Sequence, residues 1–240
     1  MAPPHPGDVF CNPGTPWTGK TVFCLGSGYS LARLSLDEWR GLVVTQNNGH
    51  GVVFAINSSI KTARLHGCEP DALFFTDTNW YETNEFLVKA FPGRVFTVCK
   101  FARAVNDRLE RVDAIQRPDF TVGQVPMRDG RSSGHRAVSV AILCGAKLIV
   151  LLGYDMRIDP VSGRSHCHDD YQWLQIGGML ADEFVPGFNG WYRDALAVGC
   201  EIVNATDGTA LTEFPLVTPD SVLRGAPDGD HFPIYPEKRA

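Results

Sequence analysis

The chain has 240 residues, of which 44% are apolar and 20% charged, and its formal net charge is −5. This composition is typical of a globular protein rather than a disordered one, and the length allows one α/β domain with its own hydrophobic core. The apolar runs are much shorter than the roughly 20 residues that cross a bilayer, and no Lys/Arg block is present, so we expect neither a membrane span nor strong nucleic-acid binding.

The ends of the chain differ in composition from its centre. The first residues, "MAPPHPGDVF", have neither the basic region nor the apolar region of a secretion signal, so we expect a cytoplasmic protein. After Pro215 the sequence is rich in Pro, Asp and Gly. We therefore predict an N-terminal extension over residues 1–19, one domain over 20–215 and a loosely ordered tail over 216–240.

The first predicted elements form a strand, a turn and a helix. The apolar run "KTVFCLGSG" stops at Gly26, Ser27 and Gly28, and "YSLARLSLDEWRG" then predicts a helix. The turn lacks the third glycine of the GxGxxG dinucleotide pattern, which argues against a standard NAD site. A nucleotide-binding turn and a purely structural turn both remain open.

Strands and helices then alternate. "GVVFAINSSI" predicts a strand that ends at Asn57, "KTARLHGCE" a helix, "PDALFFTDTNW" a strand that ends at Asp77, and "NEFLVKAF" a helix before the strand "GRVFTVCK". Such alternation predicts an α/β, Rossmann-like fold with a mostly parallel sheet and helices on both faces. Asp77 could hold a ribose hydroxyl or a metal ion, or it could cap the helix that follows.

The second half of the chain continues the same pattern. "SSGHRAVSVAILCGA" predicts a helix whose first residues, Ser132, Ser133 and Gly134, would offer backbone N–H groups to an anion. The helix leads into the strand "KLIVLLG" and then to Asp155, which has no obvious helix to cap and is therefore a functional candidate. "GWYRDALAVG" predicts the last helix and "CEIVNAT" the last strand.

Residues from about 159 to 189 lack this alternation and predict a lid over the strand ends. His166 and His168 lie two positions apart there, so an extended segment would project both side chains to one side. With Asp155 or Asp169 they could bind a divalent metal, or one of them could act as a general base. They could also be histidines of a solvated loop.

The polar residues that follow the predicted strands share one expected location. The carboxyl ends of parallel strands meet at one edge of a sheet, where doubly wound folds bind their ligands. We therefore predict that one cleft is bordered by Ser27, Asn57, Asp77, Ser133 and Asp155.

Several of these motifs also resemble a known family. In order, "CLGSGYSL", "FAINSSI" followed by "PDALFFTDTNWYE", "SSGHRAVSVAILCGAKLIVLLGYDM", "HCH" and "EIVNATDGTALTEFP" resemble the 6-hydroxymethylpterin diphosphokinase MptE-like family, a Rossmann-like group with members in tailed-phage genomes. The same order of motifs is similar to bacterial lipooligosaccharide sialyltransferases. The resemblance covers roughly residues 20–215. Tyr29 departs from it, because proline is common at that position after GxG.

The resemblance implies three functions. In a sialyltransferase-like enzyme, Gly26, Ser27, Gly28, Ser30, Asn57, Ser132, Ser133 and Gly134 would hold the nucleotide of an activated donor, and His166 or His168 would take the proton from the acceptor hydroxyl. In a diphosphokinase the same edge would bind ATP, with Asp77 or Asp155 helping to hold Mg²⁺. The third function is a non-catalytic nucleotide-binding phage protein, located in the host cytoplasm.

We rank glycosyl transfer first, because lid histidines suit a base and a binding protein would not need one. The expected partner is accordingly a nucleotide or nucleotide sugar. The sequence leaves open whether the protein forms a homo-oligomer, and it does not identify the donor, the acceptor or a cofactor.

Overall fold

The computed structural model describes residues 14–99, 102, 109–111, 121–122, 125–126, 132–170 and 177–223. Seven strands form one sheet: β1 (Thr21–Leu25), β2 (Gly51–Ile56), β3 (Ala72–Phe75), β4 (Arg94–Thr97), β5 (Glu110–Arg111), β8 (Leu148–Leu152) and β9 (Glu201–Asn204). A separate antiparallel pair consists of β6 (Thr121–Val122) and β7 (Val125–Pro126).

The sheet is parallel throughout and is wound in two directions from β1. The strand order is β5-β4-β3-β2-β1-β8-β9, and each neighbouring pair is parallel. The chain builds one side of the sheet from β1 to β5 and then crosses to the other side of β1 at β8. This reversal is the topological switch point at which open α/β sheets bind ligands.

Helices cover both faces of the sheet. They are a 3₁₀ helix (Tyr29–Arg33), α1 (Leu36–Asn47), α2 (Ser59–Leu65), α3 (Thr78–Ala90), α4 (Ser133–Leu143), α5 (Trp191–Ala197) and α6 (Pro219–Leu223). A further helical segment combines Gly177–Met179, a π-helical turn at Leu180–Phe184, and Val185–Gly187. None of the helices in the described ranges is long and apolar enough to cross a bilayer.

Alternate residues of the central strands pack into different layers. Val22 and Cys24 of β1 join the cluster that contains α4 and α5, whereas Phe23 and Leu25 join the cluster that contains α1 and α2. Both faces of β1 are therefore buried, which explains why the strand reads as a continuous apolar run. The predicted α/β, Rossmann-like fold with helices on both faces is confirmed.

The predicted first helix is two elements. The 3₁₀ helix ends at Arg33, and α1 begins after Ser35, whose side chain accepts a hydrogen bond from the Glu38 amide. The Glu38 carboxylate accepts in return from the Ser35 amide at 2.6 Å. This capping box starts a new helix at α1. The segment that apolar spacing predicts as one helix is therefore two helices.

The packed core extends past the predicted domain bounds at both ends. Trp17 is buried against Phe54, with the ring centroids 5.1 Å apart, and its amide donates to the Cys144 carbonyl. Val222 and Leu223 of α6 are also buried. Residues 14–19 and 216–223 therefore belong to the folded unit, and the remainder of the predicted extension and tail lies outside the described residues.

Candidate functional site

A cleft of about 350 Å³ opens at the carboxyl edge of the sheet. It is lined by the segments that follow β1, β2, β3 and β8, by the start of α4 and by the helical segment 177–187. We call it the strand-end cleft. The predicted residues that line it are Gly26, Ser27, Gly28, Asn57, Asp77, Ser132, Ser133, Gly134, Asp155 and His166. Ser30 and His168 are not among its lining residues.

The turns after β1 and β8 are in direct backbone contact. The Gly26 amide donates to the Leu152 carbonyl at 2.7 Å, and the Gly28 amide donates to the Gly153 carbonyl at 2.8 Å. A β-carbon at Gly26 or Gly28 would collide with the Gly153 carbonyl. Glycine is thus required for this approach, and the two amides are engaged within the fold rather than free for a phosphate.

Asp155 fastens the start of the 3₁₀ helix to the end of β8. Its side chain is almost fully buried, and its oxygens accept from the Ser30 amide at 3.2 Å and from the Ser30 hydroxyl at 2.9 Å. Burial raises the pKa of Asp155 to about 6, although the hydrogen bonds from Ser30 oppose that change. Ser30 therefore acts on the cleft through Asp155 and does not line it.

Asn57 presents a buried acceptor at the cleft. It is only 8% exposed, and its Nδ2 donates to the Ser133 hydroxyl at 3.2 Å. That hydroxyl also lies 2.7 Å from Oγ1 of Thr76. Oδ1 of Asn57 has no hydrogen-bond partner in the described part of the chain. A ligand hydroxyl or N–H group would satisfy this acceptor, which otherwise carries a desolvation cost.

Two residues that line the cleft have a left-handed backbone. Asn57 and Met156 both have φ of 51°. Asparagine tolerates this conformation better than most residues, whereas for methionine it is uncommon. Such conformations cluster at functional sites, where the surrounding structure maintains them. Here they turn the chain sharply after β2 and after β8, at two points of the same cleft.

The start of α4 keeps amide donors at the cleft. Ser132 caps the helix, because its hydroxyl accepts from the His135 amide. The Ser132 hydroxyl also lies 2.6 Å from Nδ1 of His135, a fully buried residue whose pKa burial lowers to about 4. The amides of Ser133 and Gly134 belong to the first turn and have no partner within the helix. Amide N–H groups at the start of a helix are suited to bind an anion.

Asp77 does not cap the helix that it precedes. It occupies the N-cap position of α3, but its side chain makes no capping hydrogen bond. Asp77 is instead one of the residues that line the cleft. The alternative prediction, that Asp77 only caps the helix that follows it, is therefore wrong.

The segment His166–Asp170 is attached to the first half of the fold. Gly28 and His166 form an antiparallel bridge, and the Cys167 amide donates to the Ser27 carbonyl at 2.9 Å. At the other end of the segment, the Asp170 carboxylate pairs with Nζ of Lys61 at 2.7 Å. These bonds hold the segment against the β1 turn and α2.

The two histidines of this segment occupy different places. Their ring centroids are 5.2 Å apart, but only His166 lines the strand-end cleft. His168 does not line it, and its Nδ1 accepts from the Asp170 amide at 3.2 Å. Burial lowers the pKa of both histidines, that of His168 to about 4. Both imidazoles are therefore neutral at pH 7.

Several lining residues were not predicted. Met179, Leu180 and Phe184 form an apolar wall on the helical segment 177–187, and Arg157 adds a positive charge. The apolar residues lie in the stretch without clear periodicity, so the sequence contained no signal for their orientation. Arg157 follows Asp155 by two positions, and its place after a strand was a signal that could have identified it.

The described residues contain no cluster of three or more His, Cys, Asp or Glu side chains that could bind a metal ion. Asp77, Asp155 and His166 all line the cleft, but they are not grouped as such a cluster. These residues do not form the preformed Mg²⁺ site that the diphosphokinase alternative would use.

Comparison with known proteins places the fold but not the family. No family model matches the chain, and no curated protein matches its sequence. Among solved structures it is similar to the MAf glycosyltransferase from Magnetospirillum magneticum AMB-1, with a TM-score of 0.56 and 15% sequence identity. The similarity covers 87% of this chain and 35% of that protein, so the chain spans about a third of its neighbour's length. The resemblance to the MptE-like and sialyltransferase families gains no support from sequence.

Proposed function

We propose that this protein transfers a glycosyl group from a nucleotide-activated donor to a hydroxyl acceptor. The observation that carries this proposal is the convergence of three different groups in the strand-end cleft. These are the amide donors at the start of α4, the unsatisfied Oδ1 of Asn57 and the neutral imidazole of His166. The amides would bind an anion, and Oδ1 of Asn57 would accept a hydrogen bond from the sugar or the base. The imidazole would take the proton from a hydroxyl.

The donor nucleotide would lie across the carboxyl ends of β1, β2 and β3. Its phosphate would bind the amides of Ser133 and Gly134, where the dipole of α4 also favours negative charge. A hydroxyl or amino group of the nucleoside would donate to Oδ1 of Asn57. The apolar wall at Met179 and Phe184 would pack against the base or the sugar.

His166 would act as the general base. It would take the proton from the acceptor hydroxyl as the acceptor oxygen attacks the anomeric carbon, and the nucleotide would leave with the electrons of the broken bond. A base must be unprotonated at the working pH, and the lowered pKa of His166 meets this requirement. Asp155 would have a positioning role, because its carboxylate is engaged with Ser30.

The structural neighbour supports this proposal only coarsely. The fold of this chain is one on which a glycosyltransferase is built, and a fold hosts many functions. The proposal therefore depends on the residues of the cleft. ATP-dependent pyrophosphoryl transfer is the second function that the motifs imply, and the experiment below separates the two.

The test is a nucleotide panel followed by turnover. We expect at least one nucleoside phosphate or nucleotide sugar to raise the melting temperature, since a ligand at 100 times its Kd adds about 2.7 kcal/mol of stability. The sugar nucleotide that binds should then release its nucleotide when hydroxyl acceptors are supplied. Stabilisation by ATP alone, with AMP release, would favour pyrophosphoryl transfer. Binding without turnover of any donor would favour the non-catalytic function, and no stabilisation by any nucleotide would refute the site.

A further inference from the structure

Arg157 supplies the positive charge of the strand-end cleft. Among the described lining residues, the acidic ones are Asp77 and Asp155, and the basic one is Arg157, since His166 is neutral at pH 7. Two carboxylates at the site would repel a phosphate unless a cation offset them. The amides of Gly26 and Gly28 cannot do so, because they are bonded to the turn after β8.

The guanidinium of Arg157 is held in a defined position. Its Nε donates to the hydroxyl of Tyr29 at 3.1 Å. Tyr29 is itself only 6% exposed, and the guanidinium carbon of Arg33 lies 4.9 Å above the centroid of its ring. On the other side, a β-carbon at Gly208 would lie 2.7 Å from Nη2 of Arg157. The absence of a side chain at Gly208 thus leaves room for the guanidinium.

Arg157 forms no ion pair with a carboxylate in the described part of the chain, although Asp155 and Asp159 lie near enough to interact with its charge. Nearby Arg33, by contrast, is paired with Asp159. The Nε of Arg157 donates to the Tyr29 hydroxyl, which leaves the terminal Nη groups for a ligand. A guanidinium fixed in this way is suited to bind two oxygens of one phosphate, and it loses little conformational entropy when it does so.

We propose that Arg157 is the phosphate-recognition residue of the strand-end cleft and that Tyr29 positions it. This inference rests on the proposed nucleotide-activated donor and specifies which group of the donor Arg157 binds. It also assigns a role to Tyr29, the position at which the chain departs from the family pattern. The Tyr29 hydroxyl orients an arginine that lies 128 residues later in the sequence.

The test measures affinity for CMP, UDP, GDP and ADP, and for the nucleoside with the same base in each case, by calorimetry or competition. For the nucleotide that binds the wild type most tightly, we expect Arg157→Ala to weaken binding by about 10- to 100-fold. Affinity for the matching nucleoside should not change. Arg40→Ala is the matched control, because it removes one positive charge from the exposed surface of α1.

Tyr29→Phe tests the positioning role, since it removes only the hydroxyl. We expect a several-fold loss of nucleotide affinity in the wild-type background and no further loss in the Arg157→Ala background. A purely structural role of Tyr29 would weaken binding equally in both backgrounds and would overturn the positioning role.

Other outcomes separate this inference from the proposed function. If Arg157→Ala left nucleotide affinity unchanged, or weakened nucleotide and nucleoside equally, the inference would be overturned while nucleotide binding itself stood. If the wild type bound none of the four nucleotides and no nucleotide sugar, the proposed function would fail first. Melting temperatures of all variants would show whether any loss of binding reflects loss of the fold.

Discussion

At the scale of single residues, the structure distinguishes two histidines that the sequence presents as equivalent. His166 lines the cleft, with its Nδ1 2.8 Å from the Ser165 hydroxyl. His168 does not line the cleft, and its Nδ1 accepts from the Asp170 amide. A base must reach the acceptor oxygen at about 3 Å, so position decides between two imidazoles that are both neutral at pH 7.

We therefore expect unequal effects of removing the two side chains. His166→Ala should lower donor turnover by about 10²- to 10⁴-fold with little change in nucleotide affinity. His168→Ala should lower turnover much less, because His168 does not line the cleft and its side chain accepts from the Asp170 amide instead. Nucleotide release by each variant, with and without a chelator, is the measurement. Equal loss in both variants together with chelator inhibition would indicate a metal site instead, and full activity of His166→Ala would refute the base.

Asn57 shows how one residue can meet two requirements. Its backbone is left-handed, which few side chains tolerate, and its buried side-chain amide has one acceptor that no residue of the described ranges satisfies. If the left-handed turn after β2 were the only requirement, glycine would commonly occupy this position, because it adopts that backbone without adding a polar side chain to the interior. The combination of a tolerated left-handed backbone and an unsatisfied acceptor favours a ligand-binding role over a purely structural one.

At the scale of elements, the start of α4 and the segment His166–Asp170 are brought together by different parts of the fold. The helix start is placed by the packing of α4 on the sheet, whereas the segment is attached through Ser27 and Lys61. Residues 166–170 of the predicted lid are therefore bonded to the domain. That the remainder of this segment, including the helical segment 177–187, acts as a lid is still a prediction.

The anion site at α4 can be tested with a matched pair of substitutions. Gly134→Asp would place a carboxylate at the helix start, where the phosphate should bind, and Gly134→Asn would place an uncharged side chain of similar size. Both must adjust to the Tyr154 ring, which would lie 3.1 Å from the new β-carbon. A negative charge at a helix N-terminus does not destabilise the helix, so both variants should fold.

We expect nucleotide affinity to fall at least 10-fold further in Gly134→Asp than in Gly134→Asn, because only the former repels the phosphate. Titration of both variants with the nucleotide that binds the wild type is the measurement. Equal affinities in two folded variants would count against a phosphate at this helix start.

At the scale of the whole molecule, buried titratable groups make stability depend on pH. Burial lowers the pKa of His135 to about 4 in the folded protein. As the pH falls below about 6.5, His135 is therefore protonated in the unfolded chain before it is protonated in the folded one. The free energy of unfolding should therefore fall by up to about 3 kcal/mol between pH 6.5 and 4. His168 acts in the same direction, and less strongly because it is only half-buried.

Asp155 acts in the opposite direction. Its pKa is raised to about 6, so its contribution to stability is present below about pH 4 and is lost as the pH rises through 6. We expect the urea midpoint to decrease as the pH is lowered from 6.5 to 4, and to decrease more steeply in Asp155→Asn. Asp37→Asn, at an exposed position on α1, is the matched control for the loss of one carboxylate. An unchanged slope in Asp155→Asn would contradict the raised pKa.

Much of the fold was predictable from local patterns. Apolar runs such as "KLIVLLG" indicate strands that are buried on both faces, and the helices between them require parallel pairing. Parallel pairing in turn brings the residues after each strand to one edge. This is why the sequence alone predicts Asn57, Asp77 and Asp155 in one cleft.

The sequence by itself thus determined the class of fold and the edge at which polar residues gather, because both follow from periodicity and chain direction. Only the tertiary structure decided how those residues are used. It engages the amides of Gly26 and Gly28 within the fold, and it fixes Arg157 against Tyr29. It also places His166, rather than His168, at the cleft. These outcomes depend on contacts between residues that are in several cases more than 100 positions apart, and no local pattern specifies such contacts.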